Sequence, residues 1–407
     1  MINKKQPIEA DVIIIGGGIS GLATAYYLSQ KKHLSIVILE KDSIPSLNNS
    51  SYGEERMYRR MYSNEYLCEL QEVSLKEWKR LEIEHNCELL KEHGLLFYGE
   101  SWDEETIEGS IPGARRIMQK KGIPFEALNA TQLQERWPMT PKPDFIGLYE
   151  STSGMVWANR AIEIFRSQTE ANGVSIYTGE QAVKLNISNS NVVEIHTANG
   201  NLFLADRVVL AAGAWTNDLL STFTEPLDLE IWSMLWGHYR VKETERSRFP
   251  QWFCFQKENP ANKDGGLYYG FPCHNPTTSM IKVGIDWCPP ELRTKTMKTF
   301  VRETNTNSEL AQLLDDFLHR NWNGIGECLA LYYSPYTMTR DTLFILDKLP
   351  GYSQFSIFTG GSGQAFKFAP LLGKLMSELV LEESPSVDLS PLSATRDALK
   401  SPSEVFS

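Results

Sequence analysis

The stretch TGGSGQAFKFAP, Thr359 to Pro370, sets one lysine, Lys367, between two phenylalanines and behind three glycines. Glycine-rich turns let a backbone come close to a phosphate or a cofactor. An ammonium between Phe366 and Phe368 is a charge held near apolar surface, although a snorkelling surface lysine gives the same local pattern. In GEERMYRRMY, Arg56 and Arg59 lie three residues apart, a spacing that shares one face of a helix. Lys282 in MIKVGID interrupts an apolar strand. It is either a buried cation or the outward position of an alternating strand.

A second constellation is built for an anion. Gly16, Gly18 and Gly21 form GxGxxG, enclosing Ile19 and Ser20, between the apolar run Asp11 to Ile15 and a helical pattern LATAYYLSQKK. The first glycine permits a tight turn, the second lets a pyrophosphate approach the backbone, and the third lets helix and strand pack closely. The helix N-terminus adds free N–H groups and partial positive charge. Glu40 closes the next apolar run, LSIVILE, where a carboxylate accepts from ribose hydroxyls and disfavours a 2′-phosphate. The pattern predicts a dinucleotide other than NADP, and by itself does not separate FAD from NAD.

Elements must position these groups. Strand, GxGxxG, helix and second strand make a βαβ unit. A charged amphipathic helix is expected from about Asn64 to Asn86, a strand at HGLLFYGE and a helix at PGARRIMQKKG. Asn129 with Gln132 forms a capping box. Helix, glycine turn and strand follow in ANRAIEIFRSQTEANGVSIYTG, and then a hairpin with Asn199-Gly200 at its turn. One further helix is expected around Thr296–Asn321, a late strand at FSIFTGG and a late helix at APLLGKLMSELVLEE. The Ser/Pro-rich tail after Ser384 is expected to fray. The fold class is α/β: a Rossmann-like cofactor domain, assembled discontinuously from about 1–85, 155–222 and 325–385, plus a sheet-rich substrate domain from about 86–154 and 223–324, with a polar tail at 386–407.

Composition narrows the class. The chain has 407 residues, enough for two domains, and a net charge of −11 that argues against general nucleic-acid binding. No apolar run is long enough to span a membrane, and Glu9 and Asp11 interrupt any signal-peptide core. Six scattered cysteines with no CxxC pair make zinc and redox-disulfide readings poor. A cytoplasmic monomer or weak dimer is expected.

Several ordered motifs together resemble the monomeric sarcosine oxidase family, within the D-amino-acid-oxidase-like flavoproteins. They are GEERMYRRMY, LYYGFP, IKVGID, SPYTMTRDTLFILD and GGSGQAFKFAP. RVVLAAGAWTNDLL is similar to the second FAD-contacting strand of flavoprotein amine oxidases. The resemblance implies FAD in a glutathione-reductase-like βαβ fold. Its contacts would run through the fingerprint to Glu40, Lys41, Arg56, Val183, Gly213, Trp215, Thr337, Gly361, Gly363, Gln364 and Lys367. It implies oxidation of a secondary or cyclic amino acid, with hydride passing to the flavin and oxygen returning hydrogen peroxide. Arg59 and Lys367 then match the carboxylate-binding pair, Tyr336 and Tyr269 the active-site tyrosines, and Lys282 the lysine that activates oxygen.

The chain departs from that family at three places. Ser334 stands where many members carry the cysteine that links FAD covalently, so FAD is expected to be non-covalent. Asp286 stands where sarcosine oxidases carry histidine, and it either meets a polar substrate tail or faces solvent. Gln364-Ala365 replaces a common His-Gly. Two other functions stay open: a dehydrogenase using a non-oxygen acceptor, and a flavin-binding protein without catalysis.

Overall fold

A computed structural model describes residues 6–31, 33–101, 106–188, 191–257, 266–274, 278–300 and 308–400. The apolar run near the N-terminus becomes the strand Ile8–Ile15 at the centre of an eight-stranded sheet. It pairs in parallel with Ile36–Glu40 on one side and Leu202–Leu210 on the other. Val12 and Ile14 enter the core beneath the helices, while Ile13 and Ile15 enter a second core on the opposite face. Burial on both faces explains why this strand is continuously apolar instead of alternating. The late strand Tyr352–Thr359 joins the same sheet in parallel beside Leu202–Leu210. Only Leu202–Leu210 therefore separates the N-terminal strand from this late one.

Helix Ile19–Ser29 starts at Gly18 and packs against the late helix Ala369–Val380. The crossing of turn and helix is tight. A Cβ at Gly21 would lie 1.9 Å from the Gly16 carbonyl oxygen.

A nine-stranded sheet forms the second layer. At one end of it lies the long antiparallel pair Glu230–Val241 and Ile325–Met338, followed by Met280–Ile285 and then Gly266–Gly270. The sequence-based partition grouped Ile325–Met338 with the cofactor segments, but its hydrogen bonds are made in this second sheet. A three-stranded sheet, Glu55–Tyr58, Gly154–Trp157 and Leu90–Glu92, sits apart from the two large ones.

Several expected elements are in place. Helix Glu65–His85 is capped by Asn64, whose side chain accepts from Leu67 N, and ends at Asn86 in a left-handed conformation. The Asn129–Gln132 capping box is formed. The hairpin of Val193–Thr197 with Leu202–Leu210 turns at Gly200.

Three expectations change. GEERMYRRMY is not a helix: Glu55–Tyr58 is a strand paired antiparallel with Gly154–Trp157, Arg56 opposite Val156. Pairing with a segment some hundred residues away overrides a local spacing that suited either structure. The helix placed around Thr296–Asn321 shortens to Glu309–Asn321, capped by Ser308, with a single turn at Met297–Thr299. The intervening residues 301–307 lie outside the described residues, as does 401–407 of the tail. The rest of the tail is pinned and not frayed: Leu392 is buried, and Arg396 pairs with Asp341 at 2.7 Å and donates to the Phe344 carbonyl at 3.0 Å.

Gly21→Ala should lower stability by at least about 1–3 kcal/mol, because the new methyl overlaps a backbone oxygen. Chemical denaturation of the purified protein measures it; an unchanged midpoint contradicts the tight turn.

Candidate active site

Two adjoining cavities lie between the sheets. The larger, about 620 Å³, is within the typical span of roughly 300–1,000 Å³ for cofactor sites. At one end the fingerprint residues Gly16, Gly18, Ile19 and Ser20 line it. Gly21 does not line the cavity and serves only the packing of helix on turn. Glu40 lines it with a carboxylate already held by Gly17 N at 2.7 Å and Asp42 N at 2.9 Å. Those two bonds fix the carboxylate and leave lone pairs for a further donor. Lys41, paired with Asp42 and seated 4.3 Å over Trp215, forms the wall beside it with Val183 and Gly213. At the other end stand Arg56, Tyr336, Thr337, Gly361 and Gly363.

These features fit a dinucleotide on structural grounds: a glycine cradle, a helix start whose cap carries no side-chain bond, and a fixed acid on the second strand.

The smaller cavity, about 70 Å³, shares Arg56, Tyr336, Gly363 and Phe366 with the larger one. It gathers Arg59, Lys367, Lys282, Tyr269, Gln364 and Ser334, all chosen from sequence, with Asp286 and Glu108. Gln364 and Lys367 therefore stand in this cavity and not along the larger one, where the cofactor reading had placed them.

The turn Gly360–Gln364 is held against the tyrosine strand. Ser362 N donates to Thr337 O at 2.9 Å. Gly363 has φ 72° and lies so close to the Tyr336 ring that a Cβ would come within 2.7 Å. Beyond the turn, the Lys367 carbonyl accepts from Trp78 Nε1 at 2.7 Å and Ser74 Oγ at 2.9 Å. The buried face of helix Glu65–His85 thus sets the backbone from which Lys367 projects.

Charge inside this cavity is compensated. Arg59, 1% exposed, is ion-paired with buried Glu108 and lies 3.5 Å from Gln364 Oε1. Burial opposes its charge, but the neighbouring Glu108 carboxylate outweighs that and holds Arg59 above its ordinary value. Its Nε has no hydrogen-bond partner. Lys367 is pushed down to about 7, first by burial and then by the like charge of Arg59. Asp286 is buried, not solvent-facing. Burial and then Glu108 raise it well above the usual carboxylate range, and its Oδ2 lacks a partner.

Lys282 is also inside. Its ammonium sits 4.7 Å over Trp236 and 4.9 Å over Phe271, which removes the outward-strand alternative. Burial lowers it to about 8 against the pull of Glu55, whose carboxylate is 3.6 Å away. Burial also raises Tyr336 and Tyr269 above their ordinary range, so both remain hydroxyl donors at neutral pH. Ser334 Oγ accepts from Trp236 Nε1 at 2.9 Å.

Arg56 reaches the site as a backbone clamp. Its guanidinium donates to the carbonyls of Glu55 (2.8 Å), Ser50 (2.7 Å) and Tyr52 (2.5 Å). Sequence reasoning missed Glu108 and Glu55 as partners. Glu108 carries no local signal, because it meets Arg59 only through tertiary packing. Glu55 meets Lys282 only once two sheets are brought together.

Glu108→Gln should destabilise the protein by about 3–5 kcal/mol, since it leaves Arg59 buried without its counter-charge. Denaturation at pH 7 measures it, and a change under about 1 kcal/mol, the scale of an exposed pair, contradicts the pairing.

A family model described as FAD dependent oxidoreductase (DAO) matches residues 11–379. The chain is 28% identical to the monomeric sarcosine oxidase of Bacillus sp. (strain NS-129), over 96% of this chain and 97% of that one. It is 29% identical to the N-methyl-L-tryptophan oxidase of Yersinia pestis (strain Pestoides F), over 96% of this chain and all of the other. Among solved structures it is similar to NikD, an unusual amino acid oxidase essential for nikkomycin biosynthesis, in its open form. There the TM-score is 0.85 and identity 25%, with 95% and 97% of the two chains covered.

Proposed function

The chain belongs to the FAD dependent oxidoreductase (DAO) family, and from that premise we propose that it oxidises a carboxylate-bearing secondary or cyclic amino acid to its imine, with oxygen as acceptor and hydrogen peroxide as product. One observation carries the reading: two buried cations, Arg59 and Lys367, line a small cavity that shares a wall with the cofactor cavity. Nothing but an anionic group gains fully from both. Relatives named as oxidases of sarcosine and N-methyl-L-tryptophan support the same class.

FAD, when bound, supplies the acceptor for the hydride that leaves the carbon attached to nitrogen. The chain's residues do the rest. Arg59 gives one edge of its guanidinium to Glu108 and keeps Nε and further donors for a substrate carboxylate. Lys367 adds a second charge-assisted bond, so the acid group is fixed at two points and the C–H bond is oriented. Tyr336 and Tyr269 wall the reacting carbon and offer hydroxyl donors. Buried Asp286, with an unpartnered oxygen and a carboxyl raised above its ordinary range, meets a polar group of the substrate, which favours an amino acid larger than sarcosine. Lys282 supplies positive charge where oxygen gains electrons.

We propose the same division of labour for the two large sheets, the eight-stranded one holding FAD and the nine-stranded one facing the substrate. Ser334 cannot form a flavin thioether, so FAD is held without a covalent bond. Acid precipitation should release all flavin into the supernatant; colour retained in the pellet contradicts this. Among the described residues no helix is long and apolar enough to cross a membrane.

Anaerobic mixing with a panel of N-methyl, N-alkyl and cyclic amino acids should bleach the flavin for at least one carboxylate-bearing member. Lys367→Met should weaken that substrate by about 10-fold to 100-fold, the worth of a charged hydrogen bond of roughly 1.5–3 kcal/mol, and keep FAD bound. Lys367 binds an anion only as ammonium. Affinity is therefore present below about 7 and lost as pH rises past it, and a KM independent of pH between 6 and 8.5 would falsify the Lys367 role.

A further inference from the structure

The Lys282 ammonium has a buried carboxylate beside it. Glu55 is 2% exposed and belongs to the small third sheet, while Lys282 belongs to the nine-stranded one. Their charged atoms are 3.6 Å apart, and Lys282 Nζ also donates to the Glu55 carbonyl at 3.3 Å. The other Glu55 oxygen lies 3.7 Å from His274 Nε2, whose ring stands edge-on to Trp157. Glu55 lines neither cavity itself. It touches neither the substrate nor the cofactor space, and it reaches the chemistry only through Lys282.

We propose that Glu55 is a positioning residue for the oxygen half of the reaction, a buried counter-ion that keeps Lys282 in its ammonium form at neutral pH. The proposal rests on the reading of Lys282 as the oxygen-side cation. Among the described residues, these groups face that ammonium. Glu54, Glu55 and Arg56 approach from the third sheet and the residue before it. His238 stands opposite Lys282 in register on Glu230–Val241, where burial keeps it below its ordinary value against the pull of Glu55. Trp236 and Phe271 offer ring faces. Burial, and to a smaller degree Arg56, oppose the ammonium; Glu55 is the largest influence in its favour, and Lys282 settles at about 8. Without Glu55 it would fall into the neutral range of pH and lose the charge that oxygen reduction needs.

The sign follows. The ammonium form is present below the Lys282 value and lost above it, so removing the carboxylate moves the loss to lower pH. In Glu55→Gln, the rate at which oxygen reoxidises the reduced flavin should begin to fall about 1–3 pH units lower than in the wild type, the effect of an opposite charge within about 4–6 Å. Anaerobic flavin reduction should change less than two-fold. A second readout is independent of turnover. The melting-temperature gap between wild type and Glu55→Gln should be widest below pH 8 and narrow above it, where Lys282 no longer needs the partner. Glu55→Asp, which keeps the charge and retracts it, should show the same shift in smaller measure and serves if Glu55→Gln does not fold.

A reoxidation profile of Glu55→Gln that overlays the wild type, while Lys282→Met reoxidises slowly, overturns the role of Glu55 and leaves Lys282 in place. Wild-type reoxidation by Lys282→Met overturns the premise and the proposal with it; the melting gap then still reports whether the two residues are coupled.

Discussion

Burying a charge without a partner costs several kcal/mol, and this chain buries three cations, Arg59, Lys367 and Lys282, around one small cavity. The arrangement survives because carboxylates are buried with them. Glu108 meets Arg59 closely and outweighs desolvation, so Arg59 stays charged. Glu55 meets Lys282 at 3.6 Å and compensates only part of the burial. Lys367 has no carboxylate in contact among the described ion pairs, and it sits at about 7. The cation with the weakest internal compensation gains the most from an anionic ligand.

The scaffold serves those charges by fixing the backbone beneath them. Lys367 projects from a short 3₁₀ turn whose carbonyl is pinned by Ser74 and Trp78. Arg56 spends its guanidinium on three carbonyls, which holds the strand that presents Glu55 and leads into Arg59. Glu230–Val241 and its neighbours bring Trp236, Lys282 and Ser334 to the same wall. The parts come from the nine-stranded sheet, the small three-stranded sheet and the turn that follows the late strand Tyr352–Thr359, so segments far apart in sequence must meet before the cavity exists.

Much of this was legible beforehand, for identifiable reasons. Short apolar runs and GxGxxG dictate a doubly buried parallel strand and a tight turn, whatever follows. Asn64, Asn86 and the Asn129–Gln132 box mark helix ends by local hydrogen bonding. The grouping of Arg59, Tyr336 and Lys367 followed from a resemblance in motif order. What escaped was long-range. The strand Glu55–Tyr58 takes its form from a partner near residue 155. Glu108 finds Arg59 across 49 residues of chain with no pattern to announce it. Arg396 anchors a tail whose composition reads as solvated, because its partner Asp341 lies in another loop.

The central claim is that the small cavity recognises a carboxylate through Lys367 and Arg59. The most direct measurement is a spectral titration of the bound flavin with a non-oxidisable cyclic carboxylic acid and with its neutral amide, repeated from pH 6 to 8.5. The account predicts that the acid perturbs the flavin spectrum and binds more weakly as pH rises past about 7, and that the amide binds far more weakly throughout. Equal binding of acid and amide, with no dependence on pH, would contradict it.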